Sequence, residues 1–393
     1  MTTSRWDAVV VGARVAGSAT AMLLARSGLR VLVLDRTRPG ADALSTHALM
    51  RAGTLQLQRW GLLDQVVAAG APAVRRSVFH YADGETVPVS IKPAAGVDAL
   101  YAPRRTVLDP ILVSAAQHSG ATVEFGVAVT GVLRGDDGRV TGVRVRTTDG
   151  RERDVLSDLV VGADGRSSLV AAEVGATTLV QGRAATAIVY GYLENLPTDG
   201  YEWFYAPRRG AGLIPTTGGR TCVFVGGPPD DVASVRRSMG RDAAFRHLAG
   251  QASAGLRERI SEATPVEHLR HDRGLPGHLR TASGPGWALV GDAGYWKDPL
   301  STHGITDALR DAELLARAVV SARAVGGTTS TAGAAAMAAY QVTRDRLSSR
   351  MVDVVERIAT FEWDLTAIRV LLREMASAMS DEVEALSELP SAA

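Results

Sequence analysis

Cysteine is almost absent from this chain of 393 residues, which contains only Cys222. A single cysteine forms neither an internal disulfide nor a thiolate metal cluster, which fits a reducing cytoplasm, and no metal site is expected. An excess of charge of one sign is also lacking, because 43 basic and 42 acidic residues leave a formal net charge of +1. That balance gives no electrostatic reason to expect nucleic acid or a membrane surface as a partner. We therefore expect a small-molecule partner.

Long apolar runs and an export signal are missing as well. No stretch reaches the about 18 apolar residues that a membrane-spanning helix needs. The first residues lack the charged start, apolar core and cleavage site of a signal peptide, so we expect a cytoplasmic protein. The length favours two domains, and because no low-complexity linker separates them, we expect them to be interleaved.

The chain opens with the pattern of a strand, a tight turn, a helix and a second strand. An apolar run over 6–11 precedes the turn, and a second run over 31–35 ends at an acid. The turn combines small residues with one arginine: Gly12, Ala13, Arg14, Ala16 and Gly17. Such a turn lets the backbone approach a pyrophosphate, and the next helix directs free N–H groups at it. Asp35 follows at about the 20-residue distance at which an acid binds a ribose hydroxyl.

Arg14 stands where the usual motif has a second glycine. Its side chain must either turn away from the cofactor or contact a phosphate, and its charge suits the second arrangement. The turn therefore predicts a dinucleotide site, with an ordinary strand-turn-helix connection as the alternative.

Two later segments repeat the strand-then-glycine pattern. A strand over 159–161 precedes Asp164 in GADGRS, and a strand over 287–290 precedes Gly291 and Asp292 in GDAGYWKDPLSTHGI. A long helical stretch begins near Gly304. A carboxylate directly after a strand binds a ribityl hydroxyl or caps a turn, and the spacing leaves both roles open for Asp292.

With three glycine motifs in this order, the chain resembles the class A FAD-dependent monooxygenases, the p-hydroxybenzoate hydroxylase type. The segment RRTVLDPIL adds that family's Arg-x-x-Leu pattern at Arg105, although Arg104 is an equally basic neighbour. Besides the first turn, the resemblance implies these FAD-binding residues: Asp35, Arg36, Arg105, Asp164, Gly291, Asp292, Pro299, Gly304 and Ile305. The N–H groups of Gly304 and Ile305 would stabilise negative charge on the flavin ring.

Two positions depart from the family pattern. The chain has Gly294-Tyr295 where the family often has Ala-His, and Asp307 where it often has Asn. The bulkier loop over 295–297 means that the usual ring geometry is not carried over there.

The implied fold class is α/β: a Rossmann-type FAD-binding domain interleaved with a mainly antiparallel-sheet substrate domain, plus C-terminal helices. We predict the FAD-binding domain over 1–75, 99–180 and 282–335, the substrate domain over 76–98 and 181–281, and the helical region over 336–393. The helical region has apolar residues at three- and four-residue steps: Leu347, Met351, Val354, Ile358 and Phe361. The final segment EALSELPSAA is expected to fray.

The tetrapeptide Leu-Ser-Thr-His occurs twice, ending at His47 and His303. The flanking sequences differ and short chance repeats are common, so the repetition itself is accidental. The resemblance nevertheless directs both segments toward the flavin. A neutral imidazole there could accept a phenol proton, shuttle protons or donate a hydrogen bond, so His47 and His303 are the candidate catalytic residues. The alternative is that each satisfies only a local backbone group.

Aromatic residues concentrate in the strand-like run YEWFYAP. Alternate members of a strand face opposite sides of a sheet, so one side is expected to contact a planar substrate. The candidate substrate residues are Trp203, Tyr205 and Tyr190, and the alternative is that these aromatic side chains fill a sheet core.

The resemblance implies an FAD-dependent monooxygenase, a hydroxylase of secondary metabolism. It would use NAD(P)H as a transient reductant and O2 to oxygenate a small organic, aromatic or polyketide-like, substrate through a flavin C4a-(hydro)peroxide. One alternative is a reductase or dehydrogenase of the geranylgeranyl-reductase type, and another is a flavin-binding regulatory module without turnover. A halogenase is disfavoured because the Trp-x-Trp-x-Ile-Pro signature is absent. The use of a separate flavin reductase and the oligomeric state stay open.

Overall fold

The computed structural model describes residues 5–390. Its strands are β1 (Trp6–Val11), β2 (Val31–Asp35), β3 (Arg76–Tyr81), β4 (Thr86–Ser90), β5 (Thr122–Phe125), β6 (Val127–Arg134), β7 (Val140–Thr147), β8 (Glu152–Gly162), β9 (Thr178–Gln181), β10 (Ala187–Glu194), β11 (Tyr201–Ala206), β12 (Arg209–Thr216), β13 (Arg220–Gly227), β14 (Thr264–Pro265), β15 (Arg270–Asp272), β16 (His278–Arg280), β17 (Ser283–Gly284), β18 (Trp287–Leu289) and β19 (Tyr295–Trp296).

Its helices are α1 (Val15–Arg26), α2 (Arg51–Arg59), α3 (Leu63–Ala68), α4 (Arg105–His118), α5 (Leu169–Glu173), α6 (Pro229–Met239), α7 (Arg241–Ala252), α8 (Ala254–Glu262), α9 (Gly304–Ala324), α10 (Thr331–Ala359) and α11 (Leu365–Ser387). Short 3-10 turns over Gly291–Ala293 and Pro299–Ser301 lie between β18 and α9. No helix in this described part of the chain combines the length and apolar character that crossing a bilayer requires.

The first sheet contains the parallel strands that the opening motif predicts. Its order is β17-β18-β8-β1-β2-β5, with β7 on β8 and β6 on β7. Strand β1 pairs in parallel with β2 and β8, and β8 pairs in parallel with β18. Because the carboxyl ends of parallel strands share one edge, the loops after Val11, Asp35, Gly162 and Leu289 meet there.

Helix α1 has an apolar sequence on every side because it is buried on every side. It packs between the first sheet and the helices α4 and α9. Its alanine, leucine and methionine residues favour helix, and their burial against three elements leaves no solvent-facing stripe. The helix is therefore fixed in position directly after the first turn.

The second sheet has the order β14-β10-β13-β12-β11-β3-β4, with β15 beside β10. Its pairs are antiparallel except for β11 with β3. The predicted alternation in β11 is confirmed, because Trp203 and Tyr205 pack toward α10 and α11 while Phe204 packs toward α6–α8. The side of the sheet that carries Trp203 is therefore covered by the two C-terminal helices.

The predicted fold class is confirmed, and a small third sheet, β19-β16-β9, joins the two larger ones. The domain boundaries stay a prediction. Two local predictions at the C-terminus are wrong. Helix α10 ends at Ala359, and Phe361 lies beyond it with a positive φ of 55°. Helix α11 continues to Ser387 instead of fraying from residue 384, and residues 391–393 lie outside the described part of the chain.

Candidate functional site

A cavity of about 460 Å³ lies at the edge where the parallel strands end. Most of the predicted cofactor residues line it: Gly12, Arg14, Ala16, Asp35, Arg36, Arg105, Asp164, Asp292, Pro299, Gly304 and Ile305. They come from the loops after four strands and from the starts of α4 and α9. We call this space the edge cavity.

The first turn is held from within by the aspartate that ends β2. One Asp35 oxygen accepts the N–H of Ala13 at 2.7 Å, and the other accepts the N–H and hydroxyl of Thr37 at 2.7 and 2.6 Å. A Cβ on Gly17 would lie 1.8 Å from the carbonyl oxygen of Gly12, so only glycine fits. Ala13 and Gly17 therefore shape the turn and do not line the edge cavity, and their role as cofactor contacts stays a prediction.

Asp292 follows the third glycine motif and faces the edge cavity. Burial raises the pKa of its carboxyl to about 6, against the lowering effect of Lys297 and Arg105. The preceding Gly291 does not line the cavity, because its N–H is turned inward to a carboxylate oxygen of Asp311 at 3.1 Å. Of the two roles left open for Asp292, the geometry favours a hydroxyl ligand over a turn cap.

Arg105 and Asp164 line the edge cavity and also bond within the protein. Arg105 forms a two-point ion pair with Asp109, at 2.7 and 2.8 Å. Asp164 accepts the Ser168 hydroxyl at 2.5 Å and the Val170 N–H at 3.1 Å, so it supports the start of α5. Both side chains are therefore held in place before any ligand arrives.

Arg104, the alternative to Arg105, is directed elsewhere. Its guanidinium bonds Asp42 at 3.0 Å and also Glu267, and it lies 3.9 Å from the centroid of the Tyr192 ring. Arg104 does not line the edge cavity, so the structure favours Arg105 as the cavity arginine.

The start of α9 directs its backbone at the edge cavity. No side chain caps this helix start, so the N–H groups at Gly304 and Ile305 and the positive end of the helix dipole are available to a ligand. A phosphate or a negatively charged ring edge is the kind of group that such a helix start stabilises.

His47 is buried at the wall of the edge cavity, with a positive φ of 67°. Its Nε2 shares a hydrogen bond with the hydroxyl of Tyr192, and the two rings lie nearly parallel with centroids 5.5 Å apart. Burial, together with the charge of Arg105, lowers the pKa of His47 to about 3. The imidazole is therefore neutral at physiological pH.

A second cavity, of about 530 Å³, lies between the second sheet and α11. We call it the apolar cavity, because its walls are mainly Met, Leu, Ala and aromatic side chains that include Phe79, Trp203, Tyr205 and Met375. Trp203 and Tyr205 thus line a cavity in which a substrate could contact them. Tyr190 lines neither cavity and packs edge-on against the Tyr192 ring, with the centroids 6.2 Å apart, so the structure gives its predicted role as a substrate contact no support and that role stays a prediction.

The two cavities meet at residues 301–303, which line both. His303 is 1 % exposed, and its Nε2 lies 2.5 Å from Glu382 Oε2. Its Nδ1 has no hydrogen-bond partner among residues 5–390. The second Leu-Ser-Thr-His segment therefore ends at the junction of the cavities, whereas His47 lines only the edge cavity.

A buried ion network that the sequence did not indicate surrounds His303. Arg310 bonds Glu382 at 3.1 Å and Asp307 at 3.0 Å, and Lys297 forms a second ion pair with Asp307. Asp307, one of the departures from the family pattern, is therefore balanced by Lys297 of the bulky loop over 295–297, because the cation at 297 pairs with the acid at 307. The sequence offered one sign of this network, because Asp307 and Arg310 lie three residues apart on a buried helix. No sequence pattern indicated that Glu382 would belong to it.

The same network bears on metal binding. Ligand-type atoms of His303, Asp307 and Glu382 lie within 4.8 Å of one another. Both carboxylates are already bonded to protein cations, Arg310 and Lys297. A divalent ion would have to displace or approach these cations closely, so the cluster is better described as an ion network than as a metal site.

Comparison with known proteins decides the family. A model described as an FAD binding domain matches residues 5–355. The chain belongs to this FAD-binding family. The predicted resemblance to the class A flavin monooxygenases is confirmed, and so are FAD as the cofactor and an FAD-dependent oxidoreductase as the class of protein.

Individual relatives carry different activities in their names. Aklavinone 12-hydroxylase RdmE of Streptomyces purpurascens is 34% identical over 189 residues, 43% of this chain and 34% of that protein. Digeranylgeranylglycerophospholipid reductase 2 of Methanopyrus kandleri is 27% identical over 318 residues, 77% of this chain and 74% of that protein. The match thus spans about a third of the length of the hydroxylase.

A solved structure gives a third name. The flavin-dependent brominase Bmp2, as a triple mutant, superposes with a TM-score of 0.80 at 18% identity, covering 98% of this chain and 94% of that one. At this identity the likeness concerns the fold alone. Proteins named as a hydroxylase, a reductase and a brominase therefore share this fold, and the fold does not specify the reaction.

The residues present fit FAD on three observations. The first turn is cradled so closely that only glycine fits at 17, and the start of α9 has no side-chain cap. Asp292 presents a buried carboxylate to the same cavity. A turn for a pyrophosphate, an acid for a hydroxyl and a helix start for a ring edge are the three features that the cofactor requires.

Proposed function

We propose that this protein is an FAD-dependent monooxygenase that hydroxylates a small aromatic or polyketide-like molecule. The overall reaction would be RH + O2 + NAD(P)H + H⁺ → ROH + H2O + NAD(P)⁺. The observation that carries the proposal is the apolar cavity, which joins the edge cavity at residues 301–303. A flat substrate in that cavity would lie against the segment that borders the flavin site.

The cofactor would be held by the residues of the edge cavity. Gly12, Arg14 and Arg105 would contact the phosphates, Asp35 and Asp292 would bind hydroxyl groups, and the N–H groups of the α9 start would support the ring. Arg36, Ala16, Asp164 and Pro299 would complete the contacts. Bound FAD would supply the redox chemistry, taking electrons from NAD(P)H and activating O2.

The remaining chemistry would fall to this chain's own residues. Trp203 and Tyr205 would hold the plane of the substrate, and the apolar walls would keep water away from the reacting groups. His303 lies at the junction of the cavities and would act on a substrate proton. His47 lines only the edge cavity, so we assign it to the cofactor side.

The hydroxylase relative supports oxygen transfer, but its match is confined to 43% of this chain. A second candidate, reduction of a carbon–carbon double bond, is favoured by the longer match to the digeranylgeranylglycerophospholipid reductase, over 77% of the chain. Both candidates use the same FAD framework, so only the fate of oxygen separates them.

A single-turnover experiment distinguishes the candidates without knowledge of the natural reductant. The FAD-loaded protein is photoreduced and mixed with ¹⁸O2 and a panel of phenols and hydroxyanthraquinones, followed by stopped-flow absorbance and mass spectrometry. A transient absorbance distinct from reduced and oxidised FAD, with one ¹⁸O atom in a product, is expected. Direct reoxidation with no labelled product, together with anaerobic reduction of a polyprenyl substrate, would favour the reductase.

The same preparation addresses the reductant. Oxidation of NADPH or NADH by the purified protein would indicate that it binds the nicotinamide itself. Labelled product formed only after photoreduction would indicate a separate flavin reductase as partner. Tight FAD binding without turnover in either case would favour a regulatory flavin-binding module.

A further inference from the structure

The C-terminal helix α11 contributes one charged side chain to the junction of the two cavities. Glu382 is 2 % exposed, and both of its oxygens have partners: Oε2 lies 2.5 Å from His303 Nε2, and Oε1 accepts from Arg310 at 3.1 Å. This glutamate lies 79 positions after His303 in the chain. Nothing in the proposed function assigns it a task.

The hydrogen bonds fix which nitrogen of His303 carries the proton. Burial raises the pKa of Glu382, but the charge of Arg310 and the hydrogen bond from His303 outweigh it and hold that pKa below its usual value, so the carboxylate is ionised and can only accept hydrogen bonds. His303 Nε2 must therefore be the donor. Burial lowers the pKa of His303, against the raising effect of Glu382, and Nδ1 has no acceptor in the described residues that would stabilise a second N–H. Both observations favour a neutral ring whose Nδ1 keeps its lone pair.

Nδ1 of His303 is buried and has no partner among the described residues, although the residue borders both cavities. An unpartnered buried acceptor costs free energy unless a ligand supplies the donor. A ligand that reaches Nδ1 would satisfy it with a hydrogen-bond donor, and a hydroxyl group on a substrate is such a donor.

We propose that α11 completes the site through Glu382, a positioning residue that holds His303 with a bare Nδ1 to accept the proton of a phenol or enol on the substrate. The inference rests on the proposed function, because it takes the apolar cavity to be the substrate site. In this step the substrate O–H bond breaks, the electron pair stays on oxygen and the proton forms a new bond to Nδ1. The step uses no oxidant, and it would make the ring of the substrate more electron-rich.

The network also predicts what a conservative change would do. In Glu382→Gln the side chain has one acceptor oxygen for two donors, Arg310 and His303. The guanidinium can only donate, so it retains the oxygen, and the amide NH2 group then faces Nε2. His303 would move its proton to Nδ1 and lose the ability to accept one from a substrate.

Two measurements on the full-length, FAD-loaded protein test this proposal. The first is ¹⁵N NMR of labelled histidine, with the His303 signals assigned by loss in His303→Gln. Wild type should show an unprotonated Nδ1 that is free of hydrogen bonding at neutral pH, and Glu382→Gln should show the proton on Nδ1. The charged and titratable groups around His303 are Glu382, Lys297, Arg310 and, through the latter two, Asp307.

The second measurement uses 1,2-dihydroxyanthraquinone as a probe, because ionisation of its hydroxyl changes its visible spectrum. We expect the probe to ionise on binding at a pH where it is neutral in solution. Glu382→Gln should raise the apparent pKa of the bound probe by about one pH unit or more, a tenfold change in the ionised fraction. Asp381→Asn is the matched control, since Asp381 lies one position away on the exposed side of α11, paired with Arg350.

Several outcomes would overturn the proposal. An imidazolium or an Nδ1–H in wild type would remove the acceptor, and loss of the free-nitrogen signal on loading FAD alone would mean that the cofactor uses it. An unchanged tautomer and unchanged probe ionisation in Glu382→Gln would leave Glu382 a packing role only, as would a probe that the wild-type protein fails to bind or ionise. Absence of oxygen transfer with an intact Nδ1 acceptor would instead count against the monooxygenase and not against the proton acceptor.

Discussion

Replacing Gly17 with alanine introduces a methyl group where the structure has no room for one. The new Cβ would lie 1.8 Å from the Gly12 carbonyl oxygen and 3.2 Å from the Cβ of Ala163. The first of these neighbours is backbone and cannot rotate away, so the turn itself must move. Overpacking of this kind costs about 3 kcal/mol at the upper end of the usual range. If the displacement falls on the phosphate turn, FAD affinity should drop on the order of 100-fold.

Titration of the apoprotein with FAD, followed by flavin fluorescence, measures this loss. Gly28→Ala is the matched control, because Gly28 follows the same helix with a positive φ of 78° and a Cβ there would meet no atom within 4 Å. It should cost about 1 kcal/mol of stability through the strained backbone, with FAD affinity unchanged. Wild-type FAD affinity in Gly17→Ala would refute the reasoning, since the turn would then not form the binding surface.

Three further predictions concern single side chains. Asp292→Asn should stabilise the apoprotein by at most about 3 kcal/mol above pH 6, because the raised pKa of the acid makes its ionisation costly to the folded state. Thermal melting at a series of pH values should show that this gain disappears below pH 4. The same variant should bind FAD more weakly. Arg105→Met should lower the free energy of unfolding by about 3 kcal/mol, because it leaves Asp109 unpaired. The double variant with Asp109→Asn should recover the melting temperature but not the FAD affinity. Recovery of both would contradict a phosphate-binding role for Arg105. Met375→Trp should fill the apolar cavity, so a spectral titration should show no binding of a hydroxyanthraquinone although the FAD content is unchanged. Val370→Trp, on the exposed side of α11, is the control and should bind the same hydroxyanthraquinone normally.

The cofactor half of the site could be predicted from short stretches of sequence. Each glycine motif is local: a strand, a turn and an acid or helix start within about 20 residues, so spacing alone indicates where its residues lie, while the roles were implied by the family resemblance. Asp35, Asp292 and Gly304 accordingly lie where their motifs indicated. Three predicted residues of this half do not line the edge cavity: Ala13, Gly17 and Gly291. They shape the turns from behind, a distinction that depends on packing.

The substrate half depended on contacts between distant segments. Period-2 alternation correctly put Trp203 and Tyr205 on one side of a strand, but it could not show that Tyr190, three strands away on β10, would pack edge-on against Tyr192. The ion pair of Lys297 with Asp307 was not predicted, because the sequence showed the bulky loop over 295–297 and the acid at 307 as two unrelated features.

Sequence by itself indicated a dinucleotide site and a fold around a parallel sheet, because both predictions follow from local periodicity and spacing. Only the tertiary structure decided that Glu382 meets His303 and that one histidine reaches both cavities while His47 reaches one. The physical reason is that a buried charge becomes stable only when its partners are in place, and those partners come from helices that the sequence leaves far apart.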